Sequence, residues 1–560
     1  MKLKNDNSEQ KLRGSYYTPP DLSDFLVDWI VSDRDVVNIL EPSCGDGVFI
    51  ESLIKHVDKK LACYAIELDY EESKKSEAKA QGYPSITIQN GDFFDLYQNE
   101  LINKKFDAVI GNPPYIRYQY LTPEQREIQS NILVSKGMKS NKLINTWVSF
   151  LVACIGLLDN NGRIGMVIPA ELLQVAYAND LRRYLVNNLS AITIITFVEL
   201  VFPDVQQEVI LLLGERYDTA NQCEIRMMEL RNIKDLIDSF PKRINEYKPV
   251  THHSDKWTKY FLSIEEMSVI DEFGDDPRFL PFSALAEVDI GITTGCNEFF
   301  SVDRQTVAKF ELEDVVLPLI GRSSHADGLN FTKDDWQNNI DKNMRAYLIN
   351  FPDIPFESYP DGHRKYIKAG EDMGFNKGYK CSIRDKWYCV PSIWIPDAFF
   401  LRRNNTIPKF VLNKTNAVST DTMHRIKIKD DVDANKLMLS YYNSITLAFT
   451  ELEARSYGGG VLEILPGELE RVLFPDLKDF KDIKTVNHLI KKLDDKIRRN
   501  QNIESVLDEI DQAILVNFLD ISIDKVQTCR AIWKKLMNRR LGRKARRSNE
   551  ALNDNNSDNL

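Results

Sequence analysis

A chain of 560 residues is too long for one ordinary hydrophobic core, so its length predicts two or three domains. Its content of 43% hydrophobic and 10% aromatic residues excludes a largely disordered protein. The longest apolar run, residues 147–158, is shorter than the about 20 residues that a membrane-spanning helix needs, and residues 1–10 contain no apolar signal segment. We therefore expect a cytoplasmic protein without a membrane partner.

The net charge and the cysteine spacing bear on possible partners and on metal binding. A net charge of −11 does not exclude a nucleic-acid partner, because binding depends on where the charge lies rather than on its sum. The eight cysteines are scattered, and no pair has the C-x-x-C spacing of metal ligands. We expect reduced, mostly buried thiols and no metal site.

The first two hundred residues alternate short apolar runs with helix-like stretches, which predicts a doubly wound α/β sheet. Four runs predict strands, at residues 36–42, 62–69, 86–92 and 106–114. Each ends in polar or glycine residues, and open α/β sheets bind ligands at the carboxyl ends of their strands. Two later runs, residues 191–200 and 208–217, predict a hairpin that we place at the edge of the sheet.

The rest of the chain has a different pattern. Residues 246–256 are polar and predict a linker, and the following part is loop-rich with mixed periodicity. Apolar residues spaced by three and four predict helices between 482 and 520, and the strongly basic tail, residues 530–547, suits either DNA contact or a solvated end. We predict three parts, at residues 1–250, 251–480 and 481–560, the last of them a helical segment with a basic tail.

The sharpest chemical signal is Asn112-Pro113-Pro114-Tyr115, directly after the fourth predicted strand. An exocyclic aromatic amine is a poor nucleophile, because its lone pair is delocalised into the ring. Two fixed acceptors on its hydrogens favour the pyramidal nitrogen of the transition state. The Asn112 side chain and the Pro113 carbonyl supply such acceptors, since consecutive prolines fix the local backbone. Tyr115 suits stacking on the base.

Three upstream features add a ligand site to this motif. The turn from Glu41 to Gly47 has small residues that let a ligand approach the backbone, although it lacks the dinucleotide spacing G-x-G-x-x-G. Glu67 ends the next strand, where an acid accepts hydrogen bonds from ribose hydroxyls. Asp92 and Phe93 follow the third strand and suit an adenine ring.

The motifs GSYYTPPDLSDFLVDWI, ILEPSCGDGVF, AIELD, NGDFFDL and GNPPYIRYQ occur here in the order seen in one known family. The chain resembles the gamma class of N6-adenine DNA methyltransferases, the TaqI-like or Eco57I-like modification enzymes, over most of residues 14–215. The resemblance implies a Rossmann-like catalytic domain that uses S-adenosylmethionine, followed by a mixed α+β target-recognition domain.

The resemblance also assigns residues. It implies a cofactor site made of Tyr17, Thr18, Pro19, Glu41, Ser43, Gly45, Glu67, Asp92, Phe93 and Asn112. It implies a catalytic site made of Asn112, Pro113, Pro114 and Tyr115, together with Phe202, which matches the family's second base-stacking aromatic but also suits a core position.

Residues 362–429 contain 14 Lys and Arg against 5 Asp and Glu, a local balance that suits phosphates. Within this basic window, cations alternate with aromatic residues as in surfaces that read DNA grooves, although a solvated loop over buried aromatics has the same composition. The candidate DNA contacts are Arg384, Lys386, Trp387, Arg402 and Arg403.

We expect a monomeric enzyme that methylates N6 of an adenine flipped out of double-stranded DNA, either as the modification partner of a separate restriction endonuclease or as an orphan methyltransferase. Three alternatives stay open: N4 of cytosine as the acceptor, an RNA-guanine or protein-glutamine acceptor, and a catalytically idle DNA-binding specificity subunit.

Overall fold

The computed structural model describes residues 17–32, 36–56, 60–139, 143–199, 201, 208–217, 222–240, 247–250, 256–457 and 460–557, with side chains described as far as residue 542. The chain divides into two compact units, Met1–Ile264 and Glu265–Leu560. Unit 1 contains the motifs that precede residue 215, and unit 2 contains the basic window and the C-terminal helices. No helix in the described ranges is long and apolar enough to cross a membrane.

In the described part of unit 1, nine strands form a mixed sheet with the order β3-β2-β1-β4-β5-β7-β6-β8-β9. The strands from β3 to β5 in this order run parallel, and β7 pairs antiparallel with β5. Their bounds are β1 Asn38–Glu41, β2 Ala62–Glu67, β3 Ile86–Asn90, β4 Phe106–Gly111, β5 Leu158–Pro169, β6 Ala191–Phe197, β7 Val209–Glu215, β8 Glu224–Leu230 and β9 Lys248–Pro249.

Helices cover this sheet because their apolar residues recur every three or four positions. The helix Pro20–Val31, for example, starts with a proline at its first position and buries Leu22, Leu26 and Ile30. The α-helices of unit 1 are Pro20–Val31, Val48–Ile54, Tyr70–Lys79, Phe93–Leu96, Pro123–Ser135, Thr146–Leu157, Asn179–Asn188 and Ile233–Ser239.

The predicted hairpin exists, but its predicted place was wrong. β6 and β7 pair antiparallel, as expected. They do not form the sheet edge, because β8 adds parallel to β6 and β9 adds antiparallel to β8. The sequence analysis missed β8, in which three charged residues interrupt the apolar ones. The linker predicted at 246–256 is described only in part.

The parallel strands explain where a site forms. β1, β2, β3 and β4 all run in the same direction, so their carboxyl ends meet at one edge of the sheet. The chain order reverses between β1 and β4, which makes this edge a topological switch point, the usual ligand crevice of such folds.

The described residues of unit 2 form four small sheets, with the orders β11-β20-β16-β18-β14, β12-β15-β13-β19, β17-β22-β21 and β10-β23. The strands are β10 Phe279–Pro281, β11 Ala286–Ile290, β12 Ser301–Val302, β13 Val316–Ile320, β14 Asn330–Phe331, β15 Tyr347–Ile349, β16 Ala398–Leu401, β17 Arg403–Asn404, β18 Phe410–Asn413, β19 Val418–Ser419, β20 Met423–Ile428, β21 Arg455–Tyr457, β22 Val461–Glu463 and β23 Leu473–Pro475.

Helices surround these sheets. They are Ile264–Gly274, Phe282–Leu285, Asn297–Phe300, Arg304–Phe310, Lys333–Asp341, Asp361–Asp372, Tyr379–Ser382, Ala434–Tyr441, Ser444–Glu453, Pro466–Leu469, Ile483–Arg498, Glu504–Ile510 and Ile523–Ser557. The helices predicted between 482 and 520 are confirmed by Ile483–Arg498 and Glu504–Ile510. The second of these continues as a π-helix over Asp511–Phe518.

Candidate active site

A cavity of about 650 Å³ lies at the carboxyl ends of β1 to β4, within the size range of small-molecule sites. Its wall contains most of the site residues predicted from the sequence. The predicted residues that line it are Tyr17, Thr18, Ser43, Gly45, Glu67, Asp92, Phe93, Asn112 and Pro114. Four other predicted residues, Pro19, Glu41, Pro113 and Tyr115, lie in the described ranges but outside this lining.

The turn after β1 brings the backbone to the cavity wall. Gly45 has a φ of +54°, and a side chain there would enter open space. Gly47 has a φ of +88°, and a Cβ there would lie 2.8 Å from the Ser76 hydroxyl. That hydroxyl donates to the Gly45 carbonyl at 2.7 Å, so helix Tyr70–Lys79 holds the turn.

Glu67, at the end of β2, connects this turn to the next loop. Its Oε2 accepts from the Gly45 N–H at 2.8 Å, and its Oε1 accepts from the Asp69 N–H at 2.8 Å. Burial raises the pKa of Glu67, and these two N–H donors oppose the rise. The carboxylate is fixed in orientation and still has lone pairs for ligand hydroxyls.

Glu41, at the end of β1, is fully buried, and neither of its carboxylate oxygens has a hydrogen-bond partner in the described ranges. Burial, and then the nearby charges of Glu67 and Asp46, raise the pKa of Glu41 well above its ordinary value, while Lys79 opposes them. The folded protein therefore favours the protonated carboxyl.

We expect Glu41→Gln to raise the melting temperature of the ligand-free protein more at pH 8 than at pH 5. A carboxyl with a raised pKa in the fold stabilises below its unfolded pKa, and that stability is lost as the pH rises towards the folded pKa. Glutamine cannot ionise, so the variant escapes this loss. Calorimetric melting against pH measures the difference, with exposed Glu100→Gln as the control. If the melting temperatures of the variant and the native protein differed by the same amount at both pH values, Glu41 would ionise in the folded protein as it does in the unfolded chain.

Asp92 and Phe93 follow β3 and begin a short helix. The Asp92 carboxylate caps it by accepting from the Phe94 N–H at 2.7 Å. Phe93 stacks on Phe150, with ring centroids 4.8 Å apart and an interplanar angle of 23°. Both rings line the cavity, where they form an apolar face suited to a flat ligand ring.

The Asn112 side chain is held on both sides. Its Nδ2 donates to the Thr18 hydroxyl at 3.2 Å, and its Oδ1 lies 2.7 Å from the Tyr115 hydroxyl, which donates to it. The Asn112 carbonyl accepts from the Ser43 hydroxyl at 3.3 Å. These contacts fix the amide orientation at the cavity wall and link the loop after β4 to the turn after β1.

Two aromatic residues, Tyr115 and Phe202, were predicted to stack on a base, and the structure describes only Tyr115. The Tyr115 ring is 8% exposed, and its hydroxyl also lies 3.0 Å from the Val167 carbonyl of β5. In this structure Tyr115 therefore positions Asn112, and stacking would require its ring face to be uncovered. Phe202 lies outside the described residues.

Several lining residues were missed in the sequence analysis. The helices Pro123–Ser135 and Thr146–Leu157 close one side of the cavity and contribute Leu121, Glu124, Gln125, Ile128, Gln129, Thr146 and Phe150 from themselves and their flanks. The Thr146 hydroxyl is buried and has no hydrogen-bond partner in the described ranges. Only a capping signal, Thr122 with Gln125, marks the first helix in the sequence.

The candidate DNA contacts in unit 2 mostly have intramolecular partners. Arg384 donates to the Thr293 carbonyl, and Lys386 forms an ion pair with Asp353. Arg402 and Arg403 both lie 3.0 Å from the buried carboxylate of Glu463.

Trp387, the aromatic residue among the candidate DNA contacts, lies in the core of unit 2 in this structure. Trp387 is 8% exposed, because its ring packs 4.5 Å from that of Phe299, and its Nε1 donates to Glu371. The alternation of aromatic residues and cations therefore reflects core packing at this position.

Comparison with known proteins follows the same division of the chain. Residues 46–202 match the family model of the Eco57I restriction-modification methylase, and residues 254–515 match that of the C-terminal domain of the type II methyltransferase M.Eco57I. The type II methyltransferase M.AccI of Acinetobacter calcoaceticus is 24% identical over 90% of this chain and 93% of its own. M.HindII of Haemophilus influenzae is 25% identical, over 58% of this chain and 62% of its own.

Among solved structures, the cryo-EM structure of the DrdV–DNA complex aligns with a TM-score of 0.53 at 11% sequence identity. The alignment covers 90% of this chain and 59% of that one, so this chain spans less than two thirds of its length. The predicted fold class, a Rossmann-like methyltransferase domain followed by a mixed α+β domain, is confirmed. With both family models matched in order, the chain belongs to the Eco57I-like type II restriction-modification methylases.

Proposed function

We propose that the chain transfers a methyl group from S-adenosylmethionine to N6 of an adenine that has left the stack of duplex DNA. The observation that carries the proposal is Asn112, whose amide is oriented by Thr18 and Tyr115 at the wall of the cavity. It places a fixed acceptor beside a space large enough for a cofactor.

The described residues fit this cofactor. Gly45 leaves open space at the turn, Glu67 presents an oriented carboxylate suited to ribose hydroxyls, and the ring of Phe93 suits an adenine. When bound, S-adenosylmethionine supplies an electrophilic methyl group on a sulfonium sulfur. Asp92 adds a carboxylate suited to the amino group of an adenine.

Asn112 and Pro113 then act on the acceptor amine. The Asn112 side-chain oxygen and the Pro113 carbonyl would accept hydrogen bonds from the two N–H groups of the amine, which favours the pyramidal nitrogen of the transition state over the planar ground state. With the cofactor bound, transfer would replace the carbon–sulfur bond of the methyl group by a carbon–nitrogen bond, and the amine would release one proton to solvent. Tyr115 contributes by holding the Asn112 amide.

We expect Glu67→Ala to weaken S-adenosylmethionine binding by roughly 10- to 100-fold, because hydrogen bonds to a charged group contribute about 1.5–3 kcal/mol. Equilibrium dialysis with labelled cofactor measures the change. Glu77→Ala is the matched control, since Glu77 lies on the next helix and pairs only with Lys74 among the described residues. Equal affinity in both variants would remove Glu67 from the cofactor site.

We assign recognition of a short duplex sequence to unit 2, which the Eco57I C-terminal model matches. An adenine edge is buried in a duplex, so the reaction requires the base to leave the stack. The enzyme then protects sites against a separate restriction endonuclease.

Transfer of labelled methyl groups to mixed-sequence duplex DNA, RNA and protein tests the proposal. We expect label in DNA alone. Label in RNA or protein without label in DNA would contradict it, and the idle specificity subunit would show neither transfer nor cofactor binding.

A further inference from the structure

The cations of the basic window fall into two groups. Eight of the 14 have hydrogen-bond or ion-pair partners within unit 2, namely Arg364, Arg384, Lys386, Arg402, Arg403, Lys409, Arg425 and Lys429. In the described part of the chain the side chains of the other six, Lys365, Lys368, Lys377, Lys380, Lys414 and Lys427, have none. All five arginines of this window thus have partners within the fold, and six of its nine lysines remain for another molecule.

Two of these lysines flank an exposed apolar cluster. Tyr379, Met373 and Ile383 are 79%, 71% and 66% exposed, the highest values of any large apolar side chain in the described ranges. Lys377 and Lys380 alternate with them in the sequence. Residues 373–384, here called the Tyr379 surface, contain three cations and no acid, although Asp372 and Asp385 border them.

Packing underneath holds the Tyr379 surface in place. Cys381 is fully buried, and Gly295, with a φ of +86°, approaches so closely that a Cβ there would lie 3.0 Å from the Lys380 Cβ. The ring of Phe375 packs on that of Phe299, which also contacts Trp387. Trp387 therefore supports this surface from within the core.

The orientation of the exposed residues follows from the short helix. The Ser382 N–H bonds to the Gly378 carbonyl, so the turn is α-helical and positions four apart share a face. Tyr379 and Ile383 are four apart and form one apolar ridge, with Lys380 beside it. This ridge adds little to the stability of the fold, because its side chains remain exposed to water.

We propose that the Tyr379 surface contacts duplex DNA, with Lys377 and Lys380 on phosphates and the Tyr379–Ile383 ridge against bases. A polyanion is the complement of a surface with cations and no acid. Apolar side chains inserted at a base step lower the cost of unstacking, which the proposed reaction requires. The inference rests on the proposed function and identifies the part of unit 2 that binds the duplex.

Two double variants test this surface separately, with binding to mixed-sequence duplex DNA measured by fluorescence anisotropy between about 50 and 200 mM salt. Lys377→Gln with Lys380→Gln should weaken binding roughly tenfold and reduce the slope of log affinity against log salt by about 1.8, for two lost phosphate contacts. Tyr379→Ala with Ile383→Ala should weaken binding roughly tenfold and leave the slope unchanged.

Segment 481–484 provides the matched control, because exposed Ile483 there lies between Lys481 and Lys484. Lys481→Gln with Lys484→Gln, and Ile483→Ala, should bind as the native protein does. Melting temperatures of all variants should equal that of the native protein, since every changed side chain is exposed.

Two other results would overturn the inference in different ways. If the native protein binds and methylates DNA but both Tyr379-surface variants keep its affinity and salt slope, another surface binds the duplex and the proposed function stands. If the native protein neither binds nor methylates DNA, the proposed function fails and this inference fails with it.

Discussion

Asn112→Ala is expected to lower the rate of methyl transfer to DNA by roughly 10²- to 10³-fold, the usual loss when one preorganised polar group at a reacting centre is removed. The Asn112 amide is held by Thr18 and Tyr115, so its oxygen needs no reorganisation as the amine becomes pyramidal. Alanine removes this acceptor. Single-turnover transfer of labelled methyl groups at saturating cofactor measures the chemical step.

Cofactor binding separates this role from a structural one. Asn112→Ala should bind S-adenosylmethionine within a few-fold of the native affinity, because Glu67 and the turn at Gly45 remain. Asn131→Ala, an exposed asparagine on helix Pro123–Ser135, should leave the rate unchanged. A rate in Asn112→Ala within a few-fold of native would show that the acceptor geometry does not limit catalysis.

Arg540→Met is expected to lower the free energy of unfolding of unit 2 by about 3–5 kcal/mol, because it leaves a buried charge without its partner. Arg540 and Glu451 are 2% and 9% exposed, and their side chains form two hydrogen bonds, at 3.1 and 2.6 Å. The Arg540 guanidinium also donates to the Gly460 carbonyl at 2.7 Å. This pair fastens the helix Ile523–Ser557 to the rest of unit 2.

Equilibrium unfolding in urea measures this loss. The double variant Arg540→Met with Glu451→Leu should recover a large part of it, since replacing a whole buried pair by apolar groups removes the unpaired charge. Lys535→Met, on the same helix but exposed, is the control. A loss in Arg540→Met no greater than in Lys535→Met would show that the basic tail does not stabilise unit 2.

The core of the site was predictable from sequence because its motifs end neighbouring parallel strands. Glu67 and Asn112 each follow an apolar run directly, and parallel strands bring their carboxyl ends to one edge. The order of such motifs therefore determines their spatial arrangement. Gly45 was identifiable for the same reason, since a tight turn after a strand needs a residue that tolerates a positive φ.

The remaining features depend on tertiary packing, which local sequence patterns do not reveal. Phe150 lies in a continuous apolar helix, where nothing distinguishes a cavity-lining residue from a core residue. Trp387 follows charged residues in the sequence, as surface residues often do, but its side chain packs in the core. Arg402 and Arg403 both pair with Glu463, which lies about 60 residues later in the chain. Long-range pairs of this kind decide which cations are available to DNA.

The product nucleoside tests the central claim most directly. Mixed-sequence duplex DNA is incubated with the native protein and S-adenosylmethionine, digested to nucleosides, and analysed by mass spectrometry. The account predicts N6-methyldeoxyadenosine, which is absent from the Asn112→Ala reaction. N4-methyldeoxycytidine would contradict the choice of adenine, and no methylated nucleoside in the presence of bound cofactor would contradict the account as a whole.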